Sequence, residues 1–253
     1  MSDESFRESR VEQENYFVSM TDMMVGLVFI FIILLMYFAL QFQQTRHELT
    51  SADETRRQIL QQLQTSLKAK GVKVEIDPAN GLLHLPEAIL FDSAQTEPKP
   101  GGRDAIAKLA SSLMELIPCY AEGVPPPSNA ACKPSDRKIE SMFIEGHTDS
   151  DPLTPTPEAS DNWDLSVKRA TNTYRELIRD QPDLARLCST PPDGKCQPII
   201  SVSGYADQRP AVTGNDDAAK AQNRRIDVRL LMVSPSETYR KMQSGPANAT
   251  SPA

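Results

Sequence analysis

The chain has no surplus of positive charge, no clustered histidines and no second apolar run of membrane length. Its 253 residues include 34 acidic and 27 basic side chains, a net charge of -7. That balance does not predict the basic surface that nucleic acid requires. The three histidines, His47, His84 and His147, are scattered along the chain and do not show metal-ligand spacing. We therefore predict no nucleic-acid partner and no metal.

The single apolar run, residues 17–40, begins with an acidic residue near its head. Residues 23–40 carry no charge and are roughly long enough to cross a bilayer core of about 30 Å. Asp22 precedes them, and an ionisable group inside a membrane helix costs roughly 2.5–3.5 kcal/mol on insertion scales. Such groups commonly relay protons or cations. The alternative is a helix N-cap at the membrane interface, a position that favours Asp.

A cleaved signal peptide is disfavoured as an explanation of this run. The preceding segment is acidic, the run exceeds the length of a signal h-region, and no small-x-small cleavage pattern follows it. We predict a single membrane-spanning helix over residues 16–42.

Composition divides the rest of the chain into a linker, one domain and two tails. Residues 41–70 contain neither Pro nor Gly, which favours helix. An interrupted leucine stripe in this linker suggests either a dimeric stalk or a lone solvated helix; it consists of Leu49, Leu60, Leu63 and Leu67. The predicted segments are a cytoplasmic tail (1–15), the membrane helix (16–42), a helical linker (43–71), a domain (72–233) and a disordered tail (234–253).

Periodicity within the domain predicts a hairpin followed by alternating helices and strands. Alternating apolar residues mark strands, and apolar residues at helical spacing mark helices. The predicted strands are 72–76, 82–85, 139–145, 199–203 and 226–232. The predicted helices are 106–117, 164–179 and 216–222. This order predicts an α/β sandwich in which helices cover one face of a mixed sheet.

The four cysteines bracket two proline-containing loops. Three pairings are possible, and the simplest closes each loop locally, joining Cys119 to Cys132 and Cys188 to Cys196. Disulfides indicate an oxidising compartment, although four reduced thiols are the alternative. We expect the domain to be periplasmic and the N-terminus cytoplasmic, in a single-pass protein of the bacterial inner membrane.

Four separated motifs within the domain carry a family resemblance. Residues 144–149 read Ile-Glu-Gly-His-Thr-Asp, and residues 162–170 read Asn-Trp-Asp-Leu-Ser-Val-Lys-Arg-Ala. Residues 203–210 read Ser-Gly-Tyr-Ala-Asp-Gln-Arg-Pro, and residues 223–228 read Asn-Arg-Arg-Ile-Asp-Val. Together they resemble the OmpA C-terminal family, the peptidoglycan-binding domain also found in Pal and MotB.

The resemblance implies a cleft that binds the diaminopimelate of a peptidoglycan stem peptide. Asp149 would take the ligand ammonium and Arg169 its carboxylate in a bidentate fork. Asn162 would hydrogen-bond the peptide, and Thr148 and Arg224 would line the same cleft. The alternative for the first pair is a structural salt bridge between strand end and helix.

Two further expectations concern the surroundings of this cleft. His147 is expected to orient the turn, and because no Ser or Cys nucleophile accompanies it, we predict no enzyme activity and no catalytic residue. The loop 150–161 is longer than the family pattern suggests, so it could either cover or narrow the cleft.

The membrane segment carries a second resemblance. Ser19-Met-Thr-Asp22 followed by an apolar helix resembles the B-subunit helix of flagellar stators, in which the Asp takes the driving H⁺ or Na⁺. Thr21 and Ser19 offer supporting hydroxyls. A B-subunit helix joined to an OmpA-like domain is shared by MotB and by ZorB of the Zorya anti-phage system. The acidic tail, the residues Met20-Thr21 and the two Cys-bounded insertions depart from MotB and favour the ZorB type.

These resemblances imply a B subunit of an ion-driven rotary complex that acts in anti-phage defence. Its partners would be a MotA- or ZorA-like ring subunit, peptidoglycan and a second copy of itself, with no cofactor beyond the translocated ion. A flagellar stator subunit and a passive peptidoglycan tether without ion flow are the alternatives.

Overall fold

The computed structural model describes residues 2–128, 138–189 and 194–233, with backbone alone for residues 2–19 and 44–49. The chain divides into two compact units, Met1–Leu49 and Thr50–Ala253. The predicted disordered tail, 234–253, lies outside the described residues.

One long helix, α1, spans Ser2–Ala69 and connects the two units. It includes the predicted polar tail, which contains no Pro or Gly to stop a helix. Within the first unit, Met20–Gln43 has a mean hydropathy of 2.8 and no buried part. By length and composition this stretch can cross a membrane, in agreement with the predicted apolar helix.

The C-terminal part of α1 belongs to the second unit and packs into its core. Ile59, Leu60, Leu63 and Leu67 are fully buried there. Both predictions for the linker, a dimeric stalk and a lone solvated helix, are therefore wrong for this part of the helix. Leu60, Leu63 and Leu67 do share one helix face, because they are three and four residues apart. The spacing alone does not show that this face packs against the domain of the same chain.

A five-stranded mixed sheet forms the centre of the second unit, in the order β1-β2-β7-β3-β6. Only β3 and β6 are parallel; the other neighbours are antiparallel. A separate antiparallel pair joins β4 to β5. The strands are β1 (Glu75–Asp77), β2 (Leu82–Pro86), β3 (Ile139–His147), β4 (Cys188–Ser189), β5 (Gln197–Pro198), β6 (Ile200–Gly204) and β7 (Arg225–Met232).

The remaining helices are α2 (Glu87–Leu90), α3 (Pro100–Leu116), α4 (Asn162–Asp180) and α5 (Asp217–Asn223). Single 3₁₀ turns follow α3 (Ile117–Cys119) and α4 (Pro182–Arg186). Asp161 caps α4 by accepting from the backbone N of Asp164 at 2.8 Å, which starts the helix two residues before the predicted position. The predicted mixed helix and sheet fold is confirmed; α2 and the pair β4–β5 were not predicted.

The core lies on one face of the sheet, where alternating residues of β7 and β3 are buried. Ile226, Val228 and Leu230 point to this face, together with Met142 and Ile144. Their alternation is the period-two signal that predicted both strands.

The disulfide between Cys188 and Cys196 closes the β4–β5 pair, with the two Cα atoms 5.5 Å apart. This local pairing was predicted and is confirmed. Backbone hydrogen bonds between Glu122 and Cys188 join it to the loop that follows α3. The other predicted pairing involves Cys132, which lies outside the described residues.

Candidate ligand-binding cleft

An open cleft of about 720 Å³ lies beside the C-terminal end of β3. All five predicted binding residues line it, namely Thr148, Asp149, Asn162, Arg169 and Arg224. Its other lining residues include Glu87, Phe91, Asp92, Lys99, Asp151, Leu153 and Leu165. The sequence prediction that these separated motifs share one cleft therefore agrees with the structure.

The local fold brings the motifs together through close approach of helix to strand. Thr148 and Asp149 follow the last residue of β3, and Asn162 opens α4. A Cβ atom at Gly146 would overlap the backbone of Ser166, so only glycine lets α4 lie directly against the strand end. This contact places the first turns of α4 over the cleft.

A chain of ion pairs crosses the cleft. Asp149 Oδ2 lies 2.5 Å from Arg224 Nη1, and Arg224 Nε lies 3.2 Å from Glu87 Oε2. Glu87 Oε1 in turn lies 2.7 Å from Arg169 Nη2. The predicted pair was Asp149 facing Arg169, but in the structure Asp149 pairs with Arg224. Glu87, which sequence reasoning missed, is the ion partner of Arg169.

The two arginines differ in the exposure of their side chains and in the number of protein groups that they contact. The Arg169 side chain is only 3% exposed. Its Nε donates to the carbonyl of Gln95 at 2.8 Å, its Nη2 donates to the carbonyl of Asp92 at 3.2 Å, and its guanidinium lies over the Phe91 ring. Burial lowers the pKa of Arg169, and the neighbouring Glu87 charge opposes that shift. Arg169 therefore holds the turn at residues 92–95 in place.

Arg224 presents its guanidinium to the open part of the cleft. Its side chain is 38% exposed, whereas that of its partner Asp149 is 13% exposed. The hydrogen bond to Asp149 raises the pKa of Arg224. A carboxylate and a guanidinium thus stand side by side where a ligand can reach both.

Asn162 and Thr148 support the backbone on which Asp149 sits. The Asn162 side-chain amide donates to the carbonyls of Asp151 at 2.8 Å and Asp149 at 3.4 Å. The Thr148 hydroxyl donates to the carbonyl of Asp149 at 2.9 Å. In this state both side chains order the loop; the predicted hydrogen bond from Asn162 to a peptide stays a prediction.

The loop 150–161 forms one wall of the cleft. Lys220 of α5 holds its start through an ion pair of 2.8 Å with Asp151. Thr96 holds its end, donating to Glu158 through backbone N and hydroxyl, each at 3.0 Å. The loop is therefore fastened at both ends and leaves the cleft open between them.

A second ionic cluster, also missed from the sequence, lies on the sheet face opposite the core. Strand register places His84, Asp227 and Glu145 in one row across β2, β7 and β3. His84 Nδ1 lies 2.6 Å from Asp227 Oδ1, and Arg225 Nε donates to Asp227 Oδ2 at 3.0 Å. Two nitrogens of Arg229 donate to the two oxygens of Glu145, each at 2.8 Å.

His147 belongs to this second ionic cluster. Its side chain is buried, and its ring is stacked on the Tyr205 ring. Its Nε2 is 3.3 Å from Asp227 Oδ2, within ion-pair distance but not aligned as a hydrogen bond. Two of the three histidines that are scattered in the sequence, His84 and His147, thus converge on one carboxylate. This position fits the predicted role of His147 in ordering the strand end rather than acting as a base.

Oxygen and nitrogen atoms of Glu145, His147 and Asp227 lie within 4.8 Å of one another, close enough to surround a cation. Both carboxylates, however, already have guanidinium partners, Arg229 and Arg225. A bound cation would add positive charge to a buried group of ions that is already compensated. The arrangement therefore fits an ion-pair network better than a metal site.

The network predicts a specific acid dependence of stability. Burial alone would raise the pKa of Asp227, but the nearby His147 imidazole, the hydrogen bond to His84 and the charge of Arg225 outweigh it, so this pKa lies well below its ordinary value of 3.8. A carboxyl with a depressed folded pKa contributes stability above its ordinary pKa and loses it as the pH falls through the folded value. This contribution should therefore be constant near neutrality and disappear only in strongly acidic solution.

Asp227→Asn should remove that dependence and lower the free energy of unfolding at pH 7 by about 3 kcal/mol, because it leaves buried partners without their counter-charge. Urea unfolding between pH 7 and pH 2 measures both effects. Asp104→Asn, the same change at an exposed pair with Lys108, is the control and should cost under about 1 kcal/mol. Equal acid profiles for the Asp227 variant and the unmodified protein would contradict the assignment.

The predicted ion-translocating residues all lie on α1. Asp22 and Thr21 fall inside the apolar stretch Met20–Gln43, so Asp22 follows its first two residues. Ser19 is helical as well, but its side chain lies outside the described atoms. Their role in carrying an ion stays a prediction.

The fold and the charged cleft define an OmpA-like domain that follows an apolar helix. Residues 129–224 match the OmpA family. An outer membrane protein of Gluconacetobacter diazotrophicus is 31% identical over 88 residues, which are 34% of this chain and 20% of that protein.

The more particular similarity is to MotB. The chain is 27% identical over 180 residues to motility protein B of Bacillus subtilis (strain 168), an alignment that covers 71% of this chain and 52% of that protein. It thus matches about half the length of that relative. A MotB-like protein from Desulfovibrio vulgaris shares the fold, with a TM-score of 0.50 at 20% identity over 72% of this chain and 96% of that one. The chain is thus similar to MotB, and residues 129–224 of its domain match the OmpA family.

Proposed function

We propose that this protein is the peptidoglycan-anchored B subunit of an ion-driven, stator-type complex. The observation that carries the proposal is the combination, in one chain, of a carboxylate near the start of a membrane-length helix and an OmpA-like cleft with paired opposite charges. The first feature suits ion transfer. The second suits a zwitterionic ligand.

The cleft supports anchoring through exchange of ion pairs. A diaminopimelate side chain ends in an ammonium and a carboxylate on one carbon. Its ammonium would replace Arg224 at Asp149, and its carboxylate would replace Asp149 at Arg224. The exchange breaks one ion pair and forms two, each of them charge-assisted. Similarity to motility protein B and to the OmpA family supports peptidoglycan as the source of this ligand.

The membrane half would couple ion flow to rotation. Asp22 would load and release H⁺ or Na⁺, and neutralising it would change its contact with a ring of MotA- or ZorA-like subunits. Thr21 and Ser19 would supply hydroxyl oxygens to the protonated acid or to sodium. Two copies of the chain would form the fixed axle, with their domains in the periplasm and their N-termini in the cytoplasm.

Anti-phage defence is the output we infer, on the model of ZorB. Three features of the sequence depart from MotB and support it, namely the acidic N-terminal tail, Met20-Thr21 before Asp22, and the two Cys-bounded insertions. A flagellar stator has the same physics and is the second candidate, favoured by the similarity to motility protein B. A passive tether would keep the cleft and have no use for Asp22.

The anchoring step is tested by co-sedimentation of the full-length protein, in detergent, with purified sacculi. Sacculi containing diaminopimelate should bring down the protein, and sacculi with lysine at the same stem position should retain at least tenfold less. Lysine supplies the ammonium without the carboxylate, so Arg224 would have no new partner. Equal retention by both kinds of sacculi, or by neither, would contradict the proposed ligand.

A further inference from the structure

Glu87 lies at the centre of the cleft but belongs to none of the four sequence motifs. It follows β2 directly, and the register that pairs Pro86 with Arg225 sets it beside Arg224. Its backbone N donates to the carbonyl of Arg224 at 3.0 Å. Its side chain is 10% exposed and reaches both guanidinium groups, at 2.7 Å from Arg169 and 3.2 Å from Arg224.

This carboxylate balances the charge of the cleft. The carboxylates of Glu87 and Asp149 alternate with the two arginines along one chain of ion pairs. Without Glu87, the two guanidinium groups would repel each other with only Asp149 beside them, and Asp149 pairs with Arg224, so Arg169 would lose its ion pair. Buried charges without a partner are strongly destabilising.

A balanced cleft discriminates between ligands by their charge. A ligand with only a carboxylate would have to compete with Glu87 and Asp149 for Arg224, and displacing Asp149 would leave that acid without its arginine partner. A ligand with only an ammonium would take Asp149 from Arg224, which would keep Glu87 as its single acidic partner and gain no new one. A ligand with an ammonium and a carboxylate on one carbon separates Asp149 from Arg224 but supplies a new counter-charge to each of them.

We propose that Glu87 is a specificity-determining residue, which restricts the cleft to zwitterionic ligands by occupying the positive charge that a simple carboxylate would otherwise use. This inference rests on the proposed binding of peptidoglycan stem peptides. In this proposal Asp149 and Arg224 contact the ligand, and Glu87 disfavours ligands that carry only a carboxylate.

Three tetrapeptides that differ only in their third residue provide the probes. The third residue is meso-diaminopimelate, 2-aminopimelate, which keeps the terminal carboxylate and lacks its ammonium, or lysine, which keeps the ammonium and lacks the carboxylate. Calorimetric titration of the full-length protein in detergent measures the three affinities. The unmodified protein should bind the diaminopimelate peptide at least tenfold more tightly than the other two.

Glu87→Gln should reduce the preference for diaminopimelate over 2-aminopimelate by about tenfold, because the freed positive charge can then accept a lone carboxylate. The preference over lysine should not fall. Glu176→Gln is the matched control, since Glu176 is also 10% exposed at its side chain and also contacts two arginines, Arg103 and Arg179, but does not line the cleft. It should leave all three affinities unchanged.

The ratio of affinities separates specificity from a purely structural role. If Glu87 only positions the arginines, Glu87→Gln should weaken all three peptides equally, and an unchanged ratio would overturn the proposal. Thermal unfolding shows whether the variant folds. If it does not, Glu87→Asp decides, because retained charge should retain the preference, and a folded Asp variant without the preference would refute the charge argument. Failure of the unmodified protein to bind any of the three peptides would reject the proposed function itself.

Discussion

Asp22→Asn is expected to abolish phage protection completely, to the level of cells without the locus, while leaving retention on sacculi unchanged. Asparagine has nearly the same shape as aspartate but cannot exchange a proton or balance a sodium ion. The change lies in Met1–Leu49, whereas the cleft belongs to Thr50–Ala253, so peptidoglycan binding should be preserved. Plating efficiency at matched expression, in cells that carry the intact locus, measures the effect.

Asp53→Asn is the matched control for this experiment. It makes the same chemical change in α1 beyond the apolar stretch, at an exposed residue whose ion pair with Arg56 contributes little. Protection by this variant should equal that of the unmodified protein.

Each outcome of the Asp22 experiment assigns a different role. Because α1 begins at Ser2, Asp22 is not the N-cap that the sequence left open as an alternative. Protection that survives Asp22→Asn would therefore show that Asp22 carries no ion and would make the protein a tether. If the unmodified locus gives no protection at all, the flagellar alternative takes first place, and motility of the deletion strain becomes the relevant measurement.

Arg224→Ala is expected to lower affinity for diaminopimelate peptides at least tenfold with little change in stability. Its guanidinium is the partly exposed one, and a hydrogen bond to a charged group contributes about 1.5–3 kcal/mol. Arg224→Lys should restore only part of the affinity, since an ammonium cannot make a bidentate contact with a carboxylate.

Arg169→Ala should lower the stability of the protein, because the buried Arg169 side chain binds other groups of the protein. Removing it leaves Glu87 with one partner fewer and the carbonyls of Gln95 and Asp92 without their donor. Loss of one member of a buried ion pair costs about 3–5 kcal/mol. At roughly 2–4 °C per kcal/mol for a domain of this size, the melting temperature should fall by at least about 6 °C.

Calorimetric melting and peptide titration of the two arginine variants therefore separate the two roles. A stable Arg169→Ala protein that has lost binding would restore the sequence-based assignment of Arg169 as the direct ligand. Loss of stability in Arg224→Ala would show that this residue, too, is primarily structural.

Part of the candidate site followed from the sequence because its residues occur in contiguous motifs. Asp149, Asn162 and Arg169 each sit in a recognisable segment, and strand and helix periodicity placed those segments at neighbouring element ends. Glu87 could not be recognised in this way. It belongs to a four-residue helix and acquires its role only through the pairing of β2 with β7, far along the chain. An acidic residue directly after a strand-ending proline was the only local signal.

The sequence by itself determined the apolar helix with its acidic residue, the order of the main helices and strands, and the five cleft residues that lie in its motifs, since hydrophobic period and motif identity are local properties. The tertiary structure decided which charges meet. Strand register placed Asp227 between His84 and Glu145. Packing of helix on sheet paired Arg169 with Glu87 and Arg224 with Asp149. It also decided that the leucine stripe of the linker packs into its own domain. These pairings depend on distances between residues remote in sequence, which a linear pattern does not contain.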